Sequence, residues 1–497
     1  MNSVRGRLVK ASMWMSLSRA IVNGLTMLST VILAWFLAPA DFGLVALGTT
    51  MLAIVTGATE LSLTQALIRH DSPKDSHFNA AWTLNAMRGL LIFLLFALAA
   101  YPAAKFYDDD RLTGIMLALG FSVFLSGLIN PRLITFQRDL IFRQEFFLSV
   151  SQKFVGLLAS VIVAAIWHSY WALVVGIVAT QLANFVVSYI LLPYLPKITF
   201  RHFKEFFSFS AWLSASQIAN TLNWRFDVLL IGKILGPTSL GYYSMGNNLA
   251  ILPTRETTAP LKQTIYPSFA NIRHDAERLA AAYQRAQALV TAIALPVGVG
   301  FAVIAERLVL LVLGETWLPV VFIIQALAAV FAIQTLGSLV QPLGMAQGET
   351  KMLFKRDMQM FAVRVPIIFL GAMYFGLKGV ILSRIFTGLL STAINLFLVK
   401  RFTNISVLQQ LSANTRALIS VLLMAAGVIA ASYFFPEPSE KIEILAQLIT
   451  QIALGIFLYC SSNFLLWVLM KKPKGPETEI FAISSQILSK LRSRALP

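Results

Sequence analysis

Eleven charged side chains lie within stretches of the sequence that are otherwise apolar, and these residues are the best placed to do chemistry. Eight of them are basic and three are acidic. A charge at the centre of a membrane helix costs about 2.5–3.5 kcal/mol on insertion scales, so such a residue is expected to face a cavity or a partner. Two of the basic residues, Arg19 and Lys153, are near the ends of their stretches. We expect these two side chains to extend to the membrane surface.

The deeper charges have a basic excess of six to three. A cavity with that excess prefers an anion, and arginine has a planar fork of donors that suits phosphate. We therefore predict a cationic substrate-binding cavity that contains Arg88, Arg225, Arg255, Lys262, Arg364 and Arg384. The acids are assigned to ion coupling, and they are Glu60, Asp227 and Glu256.

Two of these charges fall at similar depths in the first part of the chain. At 1.5 Å of rise per residue, Glu60 and Arg88 are each about 12–13 Å from the same side of the membrane. This depth fits an ion pair that only stabilises the helices, and it fits equally a protonatable site that couples an ion to transport. Asp227 is two residues from Arg225, so the two do not share a helix face, and we expect Asp227 to point toward another helix.

Three prolines recur every seven residues at Pro253, Pro260 and Pro267. Seven residues are nearly two helical turns, so the prolines lie near one face, and each removes a backbone hydrogen bond. Arg255 and Glu256 lie among them. The pattern indicates a helix that bends during transport, with the prolines as its hinge. An ordinary proline kink is the alternative, because proline is common in membrane helices.

The elements that must position these residues are membrane helices. Hydrophobic residues make up 57% of the 497 residues, charged residues make up 13%, and the mean hydropathy is +0.73. Soluble domains contain about 45–50% apolar and about 25% charged residues. Because a helix needs about 20 apolar residues to cross a bilayer, we predict an all-α integral membrane protein with about 14 transmembrane helices. The predicted spans are roughly 14–37, 43–68, 79–104, 112–135, 146–167, 170–194, 209–235, 240–270, 286–304, 318–343, 357–376, 379–399, 416–435 and 444–470.

The net charge of +17 could indicate a nucleic acid, an anionic lipid or an anionic substrate. With the N-terminus placed in the cytoplasm, 26 of the 40 Lys and Arg residues fall in the predicted cytoplasmic segments. This is the positive-inside pattern of membrane proteins. We therefore predict cytoplasmic N- and C-termini, contact with membrane lipids, and no nucleic-acid partner.

The segment 39–48 is repeated at 237–246, where the proline and both glycines coincide at an offset of 198 residues. Six predicted spans separate the copies, and an even number preserves direction, so the two halves are predicted to be parallel repeats. The predicted organisation is an N-terminal lobe, an amphipathic interlobe linker, a C-terminal lobe, two extra helices and a basic cytoplasmic tail, at residues 1–194, 195–208, 209–400, 401–470 and 471–497. Two such lobes are typical of an alternating-access transporter.

Several catalytic motifs are absent from the sequence. It contains no Walker A, HExxH, CxxC or GxSxG pattern, so we predict no ATP hydrolysis, no enzymatic activity, no cofactor and no metal site. The single cysteine, Cys460, excludes a disulfide framework. The acids at 108–110 could hold Ca²⁺, but three adjacent acids without further ligands are more typical of a solvated loop.

Four runs before, within and after the second copy of the repeat resemble the polysaccharide transporter family. They are Asn223-Trp-Arg-Phe-Asp227, Ile231-Gly-Lys-Ile-Leu-Gly236, Leu240-Gly-Tyr-Tyr243 and Tyr266-Pro-Ser-Phe-Ala-Asn-Ile272. Phe42-Gly43, after the first predicted span, is similar to the family as well. The family includes the Wzx-type flippases of lipid-linked oligosaccharides, such as the colanic-acid exporter type. It belongs to the multidrug/oligosaccharidyl-lipid/polysaccharide exporter superfamily.

This resemblance implies a MATE-like fold and a place in the bacterial inner membrane. It also implies translocation of an undecaprenyl-pyrophosphate-linked oligosaccharide, a repeat unit of exopolysaccharide or lipopolysaccharide, driven by a gradient of H⁺ or Na⁺. A polysaccharide polymerase and chain-length proteins are candidate partners. The family has no single motif that assigns site residues, so the predicted site depends on the charges described above.

Two other functions remain open from the sequence. A drug antiporter of the same superfamily would share the fold, although an exporter of organic cations should have an intramembrane excess of acids. A scaffold of a polysaccharide-assembly complex would need no transport of its own.

Overall fold

The structure is a computed structural model that describes residues 4–59, 63, 67, 73–139, 141–200, 203–436, 438, 440–472 and 475. Side chains are described within these ranges except at 4–12, 137, 203–220 and 263. Every regular element in this part of the chain is a helix, as the composition predicts. The predicted ion-coupling residue Glu60, and the basic tail beyond residue 475, lie outside the described residues.

The chain packs as two compact units, residues 1–244 and 245–497. The helices that begin in the first unit are α1 (Val4–Phe36), α2 (Pro39–Ala58), α3 (Asp75–Tyr107), α4 (Arg111–Gly127), α5 (Ile134–Arg138), α6 (Phe142–Trp167), α7 (Trp171–Leu191) and α8 (Phe203–Asn271), the last of which continues into the second unit. The other helices of the second unit are α9 (Ala276–Val303), α10 (Ala305–Val312), α11 (Pro319–Gln334), α12 (Val340–Ala346), α13 (Thr350–Thr403), α14 (Val407–Ser412), α15 (Thr415–Ser432) and α16 (Lys441–Leu469).

Ten helices of the described residues are long and apolar enough to cross a membrane. One of them, α13, has 54 residues, and the shorter apolar helix α4 has 17. At 1.5 Å per residue, α13 is more than twice as long as a single crossing needs. The protein is therefore an all-helical, multi-pass membrane protein, and the number of fourteen spans stays a prediction.

Glycines interrupt the two longest helices. Helical geometry breaks at Gly236 in α8 (φ 78°) and at Gly376 in α13 (φ 58°). Positive φ is unfavourable for residues with a Cβ atom but not for glycine, which explains why the chain turns at these positions. Gly236 falls in the gap between the predicted spans 209–235 and 240–270, and Gly376 is the last residue of the predicted span 357–376. The prolines of α8 keep helical backbone angles, so their role as a hinge during transport stays a prediction.

The two copies of the repeated segment contact each other inside the first unit. A Cβ atom on Gly43 would lie 1.9 Å from the carbonyl oxygen of Pro237, and one on Gly241 would lie 1.8 Å from that of Pro39. The two copies thus make the same contact in both directions, as repeats related by an approximate twofold axis would. Only glycine permits so close an approach of backbone to backbone. This reciprocal contact explains why the proline and the first glycine occur together in each copy, and the duplication stays a prediction.

Candidate functional site

A polar cavity of about 520 Å³ opens among α1, α6 and α7 of the first unit. Its walls contain two basic residues, Arg19 and Lys153, and one acid, Glu145. The other polar lining residues are uncharged amides and hydroxyls: Ser18, Asn23, Ser149, Gln152, Thr180, Gln181 and Asn184. A cavity with such a lining inside apolar, membrane-length helices is the strongest candidate for a binding site in this unit.

Helical spacing places the polar residues of α6 on one face. Glu145, Ser149 and Gln152 are separated by four and three residues, so their side chains lie in a row along the helix. Two aromatic rings complete the wall, because Trp14 of α1 lies edge-on to Phe146 with a centroid distance of 5.0 Å. Helices α1 and α6 therefore present both polar and aromatic groups to the same space.

Small residues bring α6 and α7 together beside this cavity. A Cβ atom on Gly156 would lie 1.9 Å from Thr180 Oγ1, and one on Gly176 would lie 2.8 Å from Ser160 Cβ. In membrane helices, small residues at an interface let the backbones approach closely. This close packing positions Gln152 and Lys153 of α6 opposite the polar residues of α7.

Arg19 and Lys153, whose extension to the membrane surface stays a prediction, lie in the wall of the same cavity. Although 134 residues separate them in the sequence, they line one cavity. The Lys153 ammonium forms no ion pair with any carboxylate among the residues that the structure describes. The sequence did not indicate that the two residues share a cavity. The depth of a residue along a helix does not determine which neighbouring helix its side chain faces.

A second cavity of about 310 Å³ shares part of its lining with the first. Four residues line both cavities: Glu145, Ser149, Gln152 and Asn184. The remainder of the second cavity is more apolar and includes Leu63, Leu67, Ala81 and Ile134. These four polar residues border both cavities, and we refer to them as the shared wall.

The predicted substrate-binding residue Arg88 contacts the end of α2. Its guanidinium donates hydrogen bonds to the carbonyl oxygen of Thr56 (2.8 Å) and to Thr59 Oγ1 (3.2 Å). Donation to the last carbonyls of a helix satisfies groups that have no partner within that helix. Arg88 therefore stabilises the end of α2, and it does not line the polar cavity. Whether it also pairs with Glu60 lies outside the described residues.

The other predicted basic residues have different surroundings. Arg225 is exposed, and Arg255 is exposed and forms an ion pair with the predicted coupling residue Glu256, with Nε 3.0 Å from Oε1. Arg364 and Arg384 are both buried in α13 of the second unit, whereas Lys262 is half-buried in α8. None of these five residues lines the polar cavity of the first unit.

Asp227 is buried beside a tyrosine that the charge pattern did not identify. The Tyr243 hydroxyl donates a hydrogen bond to Asp227 Oδ2, and the backbone N–H of Val228 donates to Oδ1 at 3.0 Å. Both side chains are at most 5% exposed. Asp227 and Tyr243 are sixteen residues apart in α8 and lie on opposite sides of the break at Gly236. The chain turns at this break, and the two side chains meet. The Asp227 carboxylate is therefore held in place by one side-chain donor and one backbone donor.

The acidic loop between α3 and α4 is neutralised by basic residues. Asp108 pairs with Lys233 (2.9 Å) and Asp110 with Lys105 (3.6 Å), and both acids are more than four-fifths exposed. Asp109 is mostly covered, and hydrogen bonds from Arg111 hold the pKa of its carboxyl below the ordinary value. Within the described residues, no group of three or more His, Cys, Asp or Glu residues could hold a metal ion.

The second unit has an apolar cavity of about 390 Å³ among α8, α9, α15 and α16. Its lining includes Pro253, Phe301, Met424 and Ile456. Gln451 is the exception, because it is 1% exposed and neither polar atom of its amide has a hydrogen-bond partner among the described residues. This cavity has no charged lining residue and suits an apolar group.

Residues 32–322, more than half of the chain, match the family described as "Polysaccharide biosynthesis protein". The chain is 23% identical over 405 residues to the lipopolysaccharide biosynthesis protein WzxC of Escherichia coli (strain K12), a match that covers 80% of this chain and 81% of WzxC. It is 27% identical over 317 residues to the succinoglycan biosynthesis transport protein ExoT of Rhizobium meliloti (strain 1021), with 61% and 62% of the two chains covered.

Solved structures show the same fold. The lipid II flippase MurJ, in an inward closed conformation, matches with a TM-score of 0.72 and 14% identity over 93% of this chain and 99% of MurJ. An inward-facing multidrug resistance transporter of the MATE family matches with a TM-score of 0.59 and 14% identity over 79% of this chain and 98% of that chain. These likenesses confirm the predicted MATE-like fold. The chain therefore belongs to the polysaccharide biosynthesis protein family.

Proposed function

We propose that this protein is a flippase that moves an undecaprenyl-pyrophosphate-linked oligosaccharide, a repeat unit of exopolysaccharide or lipopolysaccharide, across the bacterial inner membrane. The observation that carries this proposal is the polar cavity of the first unit, with Arg19 and Lys153 in its walls. The names of WzxC and ExoT, and the fold shared with the lipid II flippase, support the same substrate class.

The chemistry of the cavity suits the polar part of such a lipid. A pyrophosphate has several oxygens that accept charge-assisted hydrogen bonds, and the guanidinium of Arg19 and the ammonium of Lys153 supply the donors. A pyrophosphate in the hydrocarbon region would otherwise pay the full cost of leaving water. The cavity therefore provides the environment that lets an anionic headgroup enter a membrane-spanning structure.

The charged residues that the sequence analysis assigned to substrate binding and ion coupling remain part of the proposal. Arg364 and Arg384 are its strongest further candidates for phosphate binding because they are buried, followed by Arg88, Lys262, Arg225 and Arg255. We assign coupling to a gradient of H⁺ or Na⁺ to Asp227, with Glu256 and Glu60 as alternatives. The termini are proposed to be cytoplasmic, and a polymerase and chain-length proteins are proposed partners.

Transport by the purified protein tests the proposal. The protein is reconstituted into liposomes that contain a polyprenyl-pyrophosphate-linked oligosaccharide labelled on its sugar, and the label on each leaflet is measured with a membrane-impermeant enzyme. We expect the protein to accelerate exchange between leaflets, and to do so faster with an ion gradient. No acceleration would contradict the proposal and favour a scaffold, whereas efflux of cationic dyes in its place would favour a drug antiporter.

A further inference from the structure

The shared wall has a chemistry that differs from that of the two cations. Apart from Glu145, its residues are uncharged: Ser149 and Gln152 on α6, and Asn184 on α7. Amides and hydroxyls each donate and accept hydrogen bonds, whereas an ammonium or a guanidinium only donates. Phosphate oxygens need donors alone. A group that both donates and accepts, such as a sugar hydroxyl, is the natural partner of this wall.

The wall also has hydrogen-bonding capacity that the protein itself does not use. The Asn184 side-chain oxygen is buried and has no hydrogen-bond partner among the described residues. A buried polar atom without a partner costs roughly 1–3 kcal/mol, so it indicates a site where something else supplies the bond. Because Asn184 lines both cavities, a molecule in either space could reach it.

Aromatic rings stand beside the wall. The pair Trp14 and Phe146 lines the larger cavity, and Phe146 directly follows Glu145 of the wall. Rings of this kind offer flat apolar faces next to polar groups, which is the combination that fixes the orientation of a ligand with both apolar C–H and hydroxyl surfaces. A pyranose ring has apolar C–H groups on its face and hydroxyl groups around its edge.

We propose that Ser149, Gln152 and Asn184 recognise the hydroxyl groups of an uncharged sugar in the transported glycan, with Trp14 and Phe146 as its apolar platform. This inference rests on the proposed function, and it assigns the cations and the shared wall to different parts of one substrate. Arg19 and Lys153 bind the pyrophosphate, and the wall selects the sugar.

The test compares two lipids on the full-length protein in nanodiscs. One probe is a polyprenyl pyrophosphate, and the other is the same lipid with one uncharged hexose attached. We expect wild type to bind the hexose-bearing lipid more tightly. Asn184→Leu and Gln152→Leu should each weaken that binding by about three- to tenfold, the size expected for one lost hydrogen bond. Neither substitution should change the affinity for the bare lipid, which also verifies that each variant is folded.

The matched control is Gln144→Leu, which makes the same chemical change on α6 at a residue that lines neither cavity. It should leave both affinities unchanged. Equal binding of the two lipids by wild type, or an equal loss for both in the wall variants, would overturn sugar recognition while leaving the proposed function intact. Failure of wild type to bind either lipid would overturn the proposed function as well.

Discussion

The polar cavity of the first unit and the apolar cavity of the second are both enclosed by membrane-length helices, yet their linings differ in kind. The first contains Arg19, Lys153 and a row of amides, and the second contains one isolated amide, Gln451. Helices α6 and α7 of the first cavity and α9, α15 and α16 of the second have a similarly high hydropathy. Overall apolarity therefore places a helix in the membrane but does not determine what its inner face offers to a substrate.

The difference can be traced to where polar residues recur. In α6, Glu145, Ser149 and Gln152 follow helical spacing and are joined by polar residues from two neighbouring helices. In α16, Gln451 faces the cavity among Ile452, Gly455 and Ile456, with no polar neighbour to satisfy it. The first arrangement suits an anionic headgroup with sugars, and the second suits hydrocarbon.

The largest expected effect comes from removing the cations of the polar cavity. Replacing Arg19 and Lys153 together by Gln should reduce lipid-linked oligosaccharide transport by at least about 100-fold, because each charge-assisted hydrogen bond contributes roughly 1.5–3 kcal/mol. Initial rates in the liposome assay measure the loss. The control is Arg143→Gln, an exposed basic residue of α6 that does not line the cavity. Transport within twofold of wild type in the double variant would show that these cations do not bind the substrate.

Two glycine substitutions test how tightly the helices pack beside each cavity. Gly156→Ala should destabilise the protein by about 1–3 kcal/mol, the usual cost of overpacking, since its Cβ would overlap Thr180 Oγ1 at 1.9 Å. Gly455→Ala should be neutral or stabilising by up to about 1 kcal/mol, because its Cβ would meet only ordinary contacts beyond 3.5 Å and alanine favours the helix. Thermal unfolding in detergent measures both changes. Equal effects would mean that helix packing is no tighter beside the polar cavity.

The isolated amide of the apolar cavity gives a third, smaller effect. Gln451→Leu should stabilise the protein by about 1–2 kcal/mol, because it removes a buried donor and acceptor that have no partners among the described residues. The midpoint of thermal unfolding should rise while transport stays near the wild-type rate. A fall in transport with unchanged stability would show instead that Gln451 contacts the substrate, and the contrast between the two cavities would be smaller than we propose.

The smallest effect is expected from the ion pair Asp109–Arg111, which lies outside both cavities. The pKa of Asp109 is lowered by hydrogen bonds from Arg111, so the pair stabilises the fold above the unfolded carboxyl pKa, about 3.9. That contribution is lost as the pH falls through the lower pKa of the folded state. Asp109→Asn should cost no more than about 1 kcal/mol at neutral pH.

The pH dependence of unfolding checks this last expectation. The difference in melting temperature between wild type and Asp109→Asn should be constant from pH 7 to 5 and should shrink below about pH 4. A constant difference down to the most acidic pH would show that the substitution acts through packing and not through charge. Transport should be unaffected at neutral pH, in contrast to the cavity variants.

Much of the fold could be predicted from the sequence. The helical class and the membrane-spanning character follow from the apolar runs, and the family follows from the resemblance of the short runs between residues 223 and 272. The break at Gly236 falls in a predicted gap and the break at Gly376 falls at the predicted end of a span, because short polar or glycine-containing interruptions between apolar runs mark the ends of spans. The number of spans and the side of the membrane that each terminus occupies stay predictions.

The site residues named from the sequence stay predictions. Charge and depth selected Arg88, whose guanidinium donates hydrogen bonds to the end of α2. They also set aside Arg19 and Lys153, which line the polar cavity. Tyr243, the partner of Asp227, carries no charge and could not be found by a search for charges. The spacing of Glu145, Ser149 and Gln152 was the available signal for the shared wall. A row of polar side chains on an apolar helix is costly in a membrane unless it faces a cavity or a polar partner.

Sequence alone determined that this chain is a multi-pass helical membrane protein of a polysaccharide transporter family, because hydropathy and repeated motifs are local properties of the chain. Tertiary structure alone decided which polar side chains share a cavity. Helical periodicity specifies what lies on each face, but the rotation of a helix and the choice of its neighbours depend on close contacts such as Gly156 with Thr180. Those contacts join α6 to α7, and with α1 they bring residues from three distant segments into one binding surface.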